Sequence, residues 1–308
     1  MCIHEGVVKA VADRGVEYVA DAPEPKAGDG AVVVEIAAAS LCGTDRECYE
    51  WSPAARAFNL GLPVVLGHEA AGTVVEVGTG VENLRVGDRV ALESHLACGQ
   101  CFACRTGDAH TCERTQILGM HFDGVFAERV AVPHRICVPL PDSVPLETGA
   151  LLESAGVAAH AIQRAGYSVA GRGVLVSGAG PVGMVVARLA SLMGAAYVIV
   201  IEPNPFRRAE AEQLGVITME PGAGVAERSR ELSGHRGGAD VAFECSGAAA
   251  ALPSLFDAVR REGTVVTVGH PGRPVPIDVA AQINKRGITL RASSAAACGK
   301  PGSRRCSC

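Results

Sequence analysis

"GVLVSGAGPVGMVV", residues 173–186, decides the fold. A β-branched run, GVLVS, leads into Gly178, Gly180 and Gly183 with Val182 between the last two. An apolar segment of helical period follows, PVGMVVARLASLMG. Strand, G-x-G-x-x-G turn and helix N-terminus together form a dinucleotide-binding signature. The glycines permit a tight turn and close backbone approach to a pyrophosphate, which sits on the helix N-terminus. Glu202 ends the next predicted strand, AYVIVIE, 19 residues after Gly183. A carboxylate there binds the ribose hydroxyls of NAD and repels the extra phosphate of NADP. The β–α alternation then continues through ITME, a polar helix near 223–234, ADVAFECSG, a helix over AAALPSLFDAVRREG, TVVTVG and ITLRA. Six strands with helical crossovers predict a doubly wound Rossmann sheet over residues 156–292.

Upstream the period differs. AVVVEIAAAS, GTVVEVG, DRVALES and FAERVAVP read as short strands punctuated by Gly-rich turns. They predict an all-β, barrel-like module over residues 1–155. The fold class is therefore α/β with an added β-barrel domain. Aromatic residues make up only 4%, and the net charge is −5 with no basic patch, which argues against a nucleic-acid partner. No apolar run reaches membrane-spanning length, and the N-terminal MCIHEGVVKAVADRG lacks the pattern of a secretion signal. A cytoplasmic setting is expected, where the 12 cysteines serve as thiols or metal ligands and not as a disulfide framework.

Four cysteines stand together. Cys98, Cys101, Cys104 and Cys112 follow the spacing C-x2-C-x2-C-x7-C in CGQCFACRTGDAHTC. Four thiolates so close can enclose one tetrahedral zinc ion, leaving no position for substrate. The competing readings are surface thiols or an iron–sulfur cluster. A second set is open. Cys42 in LCGTD and His68–Glu69 in GHEAAG offer S, N and O donors, and three protein ligands with one exchangeable position suit catalytic zinc.

With CGTD, GHEAAGTVVEVGTGV, VGDRV, the four-cysteine lobe and SGAGPVG, the sequence resembles the zinc-containing medium-chain dehydrogenase/reductase family over roughly residues 8–292. LESHLACGQCFACRTGDAHTC, DGVFAE and IEPNPFRRAEAEQLG are most similar to its L-threonine 3-dehydrogenase branch. The resemblance implies a GroES-like catalytic domain beside the Rossmann domain, one structural and one catalytic zinc, and NAD. It implies a small-molecule alcohol substrate and a homo-oligomer, dimer or tetramer, with no nucleic-acid or membrane partner. Glu153 in LLESAGVAAH occupies the position of an acid that joins or exchanges with the zinc ligands, although Ser154 replaces the usual Pro. Thr44 is placed to relay the substrate proton. Glu47 stands where threonine dehydrogenases carry His, His95 matches a position beside the substrate, and Arg207 matches an adenosine-side contact. The activity implied is oxidation of a secondary alcohol, with L-threonine at its 3-hydroxyl the best single substrate. A polyol, sugar or aminocyclitol is the alternative, since CGTDRE is also similar to those dehydrogenases. A truncated, inactive zinc-binding product is the alternative of another class.

After Arg291 the resemblance stops. Relatives continue with a stretch like G-I-[FY]-G-R-x-[MFL]-[WF]-E-T-W, then a return segment of the catalytic domain. This chain has ASSAAACGKPGSRRCSC. Restoring one G after the Arg291 codon lets the codons of ASSAAACGKPGS read G-I-F-G-R-R-M-W-E-T-W-E. Gly299 and Gly302 then supply the GG of both tryptophan codons, and Cys298 the TG of methionine. Residues 293–308 are thus expected to be an aberrant tail left by a one-nucleotide deletion. A zinc clasp of Cys298, Cys306 and Cys308 is the competing reading. Resequencing the gene should recover one base after the Arg291 codon; an intact frame there overturns the deletion.

Overall fold

The computed structural model describes residues 4–166 and 168–294. Residues 295–308, most of the expected aberrant tail, lie outside them. Packing divides the chain into two compact units, separated between Glu153 and Ser154.

In the first unit, an antiparallel sheet of five strands runs in the order Cys137–Pro139, Arg89–Leu92, Ala70–Val77, Ala31–Ala39, Arg129–Pro133. Alternate residues of Arg129–Pro133 are buried, as a sheet with one face on a core requires. Val32, Val34, Val74, Val90, Leu92, Val130 and Val132 fill that core. A smaller sheet pairs His4–Lys9 with Glu17–Ala22 and Val64–Val65. The all-β expectation missed three short helices, Gly43–Glu50, Pro53–Ala57 and Phe102–Thr106. The first has a mean hydropathy too low to announce itself by period, because it is built from GTDRECYE. It carries three residues of the candidate site.

The second unit holds six parallel strands in the order Ile217–Met219, Tyr197–Ile201, Gly173–Ser177, Ala239–Glu244, Val259–Thr267, Thr289–Ala292. This is the doubly wound order 3-2-1-4-5-6. The central strands Gly173–Ser177 and Ala239–Glu244 are buried along their whole length, which is why they read as unbroken apolar runs. Val174, Val176, Val241 and Phe243 pack on one face with Ala187 and Ala190. Leu175, Ile199, Ala242 and Val265 pack on the other with Leu255 and Phe256.

Two local expectations change. The helix predicted through VRREG ends at Ala258, and Val259–Thr267 is strand. The register jumps from Ala239↔Val259 to Val241↔Thr264, and Glu262 takes a left-handed φ of 59° within the extra residues. Arg260 explains the kink: its Nε donates to Asp240 Oδ1 at 2.7 Å, which needs the chain turned toward the neighbouring strand. Ser293, placed by sequence in the tail, is instead buried, and its N–H donates to Thr267 O at 2.8 Å.

Asp240 is the buried electrostatic joint of this sheet. Its Oδ2 accepts from the Gly173 N–H at 2.8 Å and from Arg236 Nη1 at 3.2 Å. Burial alone would raise its pKa; the Arg260 and Gly173 hydrogen bonds and the Arg236 charge outweigh it and hold the carboxyl below the ordinary value. A depressed folded-state pKa stabilises the fold above the unfolded pKa of about 4, and that contribution is lost as pH falls through the folded value. Asp240→Ala should cost about 3 kcal/mol at pH 7, by leaving two guanidiniums and an N–H without their acceptor. In urea unfolding, the gap between wild type and variant should narrow below about pH 4.

Candidate active site

The helix Gly43–Glu50 begins immediately after Cys42. Asp45 Oδ2 accepts the Cys42 N–H at 2.8 Å, one half of a capping box that fixes where the helix starts. Asp45 Oδ1 also lies 3.4 Å from His68 Nδ1. One buried carboxylate therefore sets both the cysteine and the histidine. Thr44 Oγ1 is 3.7 Å from Cys42 Sγ, and half-buried Glu47 follows one turn along the helix.

His68 and Glu69 enter on the short segment before Ala70–Val77, and Gly67 makes that entry possible. Its φ is 92°, and a Cβ there would stand 2.6 Å from the Phe126 ring. Gly119 and Gly124 press on the same backbone: an added Cβ on either would meet Gly67 O at 2.3 and 2.1 Å. Ser40 donates its hydroxyl to Glu69 Oε2. One donor atom each from Cys42, His68 and Glu69 lies within 4.8 Å of the others, with His68 and Glu69 buried. Burial lowers the His68 pKa, but hydrogen bonds and charge from Asp45 and Cys42 more than offset that and hold it well above its ordinary value. The local field thus favours positive charge at the centre of the donor set. A cation with S, N and O affinity fits, and zinc has it.

Glu153, in the first turn of Leu152–Arg164, gathers with Glu93 and His95 in a neighbouring group whose donor atoms also lie within 4.8 Å. Ser94 links them: its hydroxyl donates to Glu153 Oε1 at 2.8 Å and meets His95 Nδ1 at 2.7 Å. Burial pushes the Glu153 carboxyl up to about 7; the His68 charge opposes this and the Glu69 charge adds to it. Sequence reasoning missed Ser40, Asp45, Glu93 and Ser94. Asp45 had a signal, an acid three residues after Cys42 at a helix start; the two serines had none.

The four-cysteine lobe closes on itself. Cys101 Sγ stands 3.5 Å from Cys104 Sγ and 3.8 Å from Cys112 Sγ, and all four sulfurs lie within 4.8 Å of one another. Main-chain N–H groups of Gln100 and Cys101 donate to Cys98 Sγ at 3.4 Å each, and pull that thiol down to about 6. Burial and the neighbouring thiols push Cys104 up to about 12. Four sulfurs this close cannot all ionise without a cation among them, and tetrahedral zinc meets that need.

In the second unit the fingerprint turns as the glycines require. Gly178 has a φ of 97°, and a Cβ on Gly183 would meet Gly178 O at 2.0 Å. Gly180 caps the helix Pro181–Leu192 with no side-chain hydrogen bond, and an added Cβ there meets nothing within 4 Å. Open space over unsatisfied first-turn N–H groups fits a pyrophosphate. Glu202 is buried, with Oε2 accepting from the Ala179 N–H at 2.8 Å and Oε1 from the Asn204 N–H at 2.9 Å. Each oxygen keeps further acceptor capacity for a ribose hydroxyl. Arg207 is exposed on the helix Pro205–Glu212, whereas its neighbour Arg208 is tied to Glu202 O, Pro203 O and Glu220.

Comparison with known proteins agrees with this chemistry. Residues 28–142 match the alcohol dehydrogenase GroES-like domain, and residues 181–301 match the zinc-binding dehydrogenase domain. The L-threonine 3-dehydrogenase of Pyrococcus horikoshii is 40% identical over 288 residues, covering 92% of this chain and 81% of that protein. The chain belongs to the zinc-dependent medium-chain dehydrogenase family. A protein of Sinorhizobium meliloti 1021, assigned as a zinc-binding dehydrogenase and bound to NADP, superposes with a TM-score of 0.85 at 30% identity, covering 96% of this chain and 85% of that one. The 2R,3R-butanediol dehydrogenase of Bacillus subtilis does so with 0.83 at 30%, covering 94% and 83%. This family member is an oxidoreductase whose cofactors are zinc and a nicotinamide dinucleotide, with GroES-like and Rossmann domains. Among the described residues, no helix is long and apolar enough to cross a membrane.

Gly67→Ala should be among the most damaging single-methyl changes in the first unit. It combines a left-handed backbone with a clash against Phe126, and should cost about 3 kcal/mol in urea unfolding. Gly180→Ala, with open space around it, should leave stability within about 1 kcal/mol while weakening dinucleotide binding in a fluorescence titration.

Proposed function

We propose that this enzyme oxidises the 3-hydroxyl of L-threonine with NAD. The observation that carries the proposal is the Cys42–His68–Glu69 donor set, with His68 and Glu69 buried and the Thr44 hydroxyl beside Cys42, in a chain 40% identical to an L-threonine 3-dehydrogenase. Cys42, His68 and Glu69 hold the catalytic zinc, with Glu153 as its exchangeable acidic partner. Cys98, Cys101, Cys104 and Cys112 hold the structural one. When bound, zinc supplies Lewis acidity toward the substrate hydroxyl, and NAD supplies the hydride acceptor.

The remaining work belongs to side chains of this protein. Thr44 takes up the hydroxyl proton as it releases its own toward Glu47, one turn along, which passes it to solvent. Asp45 holds the His68 ring in place throughout. His95 contacts the polar end of the substrate. Gly178, Gly180, Val182 and Gly183 form the pyrophosphate turn, Glu202 selects NAD over NADP, and Arg207 lies along the adenosine. A second reading has its own support: Glu47 replaces the His of threonine dehydrogenases, and a butanediol dehydrogenase superposes closely. Under it, the substrate is a diol or polyol.

An NAD-reduction assay with L-threonine, 2,3-butanediol and sorbitol separates the readings. L-Threonine should give the highest kcat/KM; a polyol in first place transfers the substrate. Reduction with none of them, nor with a sugar and an aminocyclitol, marks a zinc-binding product without turnover. Metal analysis should find two zinc ions per chain. Cys42→Ala should retain about one and lose about a thousandfold in kcat, several kcal/mol of transition-state stabilisation.

A further inference from the structure

Ser94 has no role in the sequence reading, yet it is completely buried between two candidate site residues. Its main chain is fixed: Ser94 O accepts the Leu118 N–H at 3.0 Å, and the preceding Glu93 N–H donates to Ile136 O at 2.8 Å. Its hydroxyl has one proton and two near neighbours, Glu153 Oε1 at 2.8 Å and His95 Nδ1 at 2.7 Å. An ionised carboxylate oxygen can only accept, so with Glu153 ionised the proton goes to it. The hydroxyl oxygen then faces His95 Nδ1 with a lone pair, and that nitrogen must carry hydrogen. Glu93 acts in the same direction. Its Oε1 lies 3.6 Å from His95 Nδ1, and it also accepts the main-chain N–H of His95 at 3.4 Å. A bare lone pair on Nδ1 would face two oxygens, whereas an N–H there is attracted to both.

We propose that Ser94 is a positioning residue that locks neutral His95 as its Nδ1–H tautomer and at the same time fixes the Glu153 carboxylate. The other nitrogen, Nε2, is then an obligatory acceptor. This inference deepens the proposed function and rests on it for its consequence: His95 can receive an N–H or O–H from the polar end of the substrate and cannot donate to its carboxylate. An ammonium-bearing alcohol satisfies that rule. A substrate offering only acceptors at that place does not.

The tautomer is measurable without turnover. Long-range ¹H–¹⁵N correlation spectra of histidine-labelled protein, assigned with His95→Gln, distinguish Nδ1–H from Nε2–H at about pH 8 to 9, where the ring is neutral and Glu153 is ionised. Wild type should show His95 as Nδ1–H, in both the zinc-free and the zinc-loaded protein. Ser94→Thr, which keeps the hydroxyl, should retain it. Ser94→Ala should shift the ring toward Nε2–H, and lower kcat/KM about tenfold to a hundredfold, mostly through KM, with Ser94→Thr restoring it. A wild-type ring in the Nε2–H form overturns the proposal, even if Ser94→Ala does not fold. So does a folded Ser94→Ala whose ring remains Nδ1–H. An Nδ1–H ring in an enzyme inactive toward L-threonine overturns the substrate reading alone.

Discussion

The first unit is built around charge that has been removed from water. Asp45, His68, Glu69 and Glu153 are each at least nine-tenths buried. An unpaired ion at such depth costs several kcal/mol, so each must be met by a partner placed in advance. The partners are short. Asp45 meets His68, Ser40 meets Glu69, and Ser94 meets Glu153. The three-glycine contact at Gly67, Gly119 and Gly124 serves the same end, since it brings the His68–Glu69 segment close enough to the Cys42 helix for one metal ion to be shared. The surrounding valine core has little freedom to change, because a shift of about 1 Å in any wall would leave a buried charge without its compensation.

Main-chain N–H groups do comparable work elsewhere. In the cysteine lobe they point at the sulfurs and favour thiolates. In the parallel sheet they hold two buried carboxylates at strand ends. Glu202 takes the N–H groups of Ala179 and Asn204, and Glu244 those of Ser246 and Gly247. Glu202 thereby ties the glycine turn to the next strand, so the acid and the loop are held as one piece. A neutral isostere at 202 would lose more than a charge, because the loop geometry is hydrogen-bonded to it.

Legibility followed the physics. The Rossmann sheet was readable because its central strands are buried on both faces, so apolar runs such as GVLVS and ADVAFE are required. The cysteine lobe was readable because metal geometry constrains ligand spacing. The helix Gly43–Glu50 was not, since a capping carboxylate that also meets His68 holds it in place of an apolar stripe. The strand at Val259 was read as helix because Val-Arg-Arg-Glu is locally neutral, and a distant aspartate decides it. Ser40 and Ser94 were invisible for a related reason. A serine earns its role from what it faces, and nothing in its own neighbourhood of sequence records that.

The residues that choose the substrate fall in this last class. Cys42, His68 and Glu69 can be recognised because a cation dictates their chemistry, and the same cation serves every alcohol the family oxidises. On the proposed reading, discrimination between alcohols falls to the less buried side chains around them, Glu47 and His95 among them. Their behaviour depends on which atom carries a proton. A histidine with an accepting Nε2 and one with a donating Nε2 are the same letter in a sequence, and they prefer opposite substrates. Where a buried hydroxyl such as Ser94 sets that state, specificity is written one hydrogen bond away from the residue that expresses it.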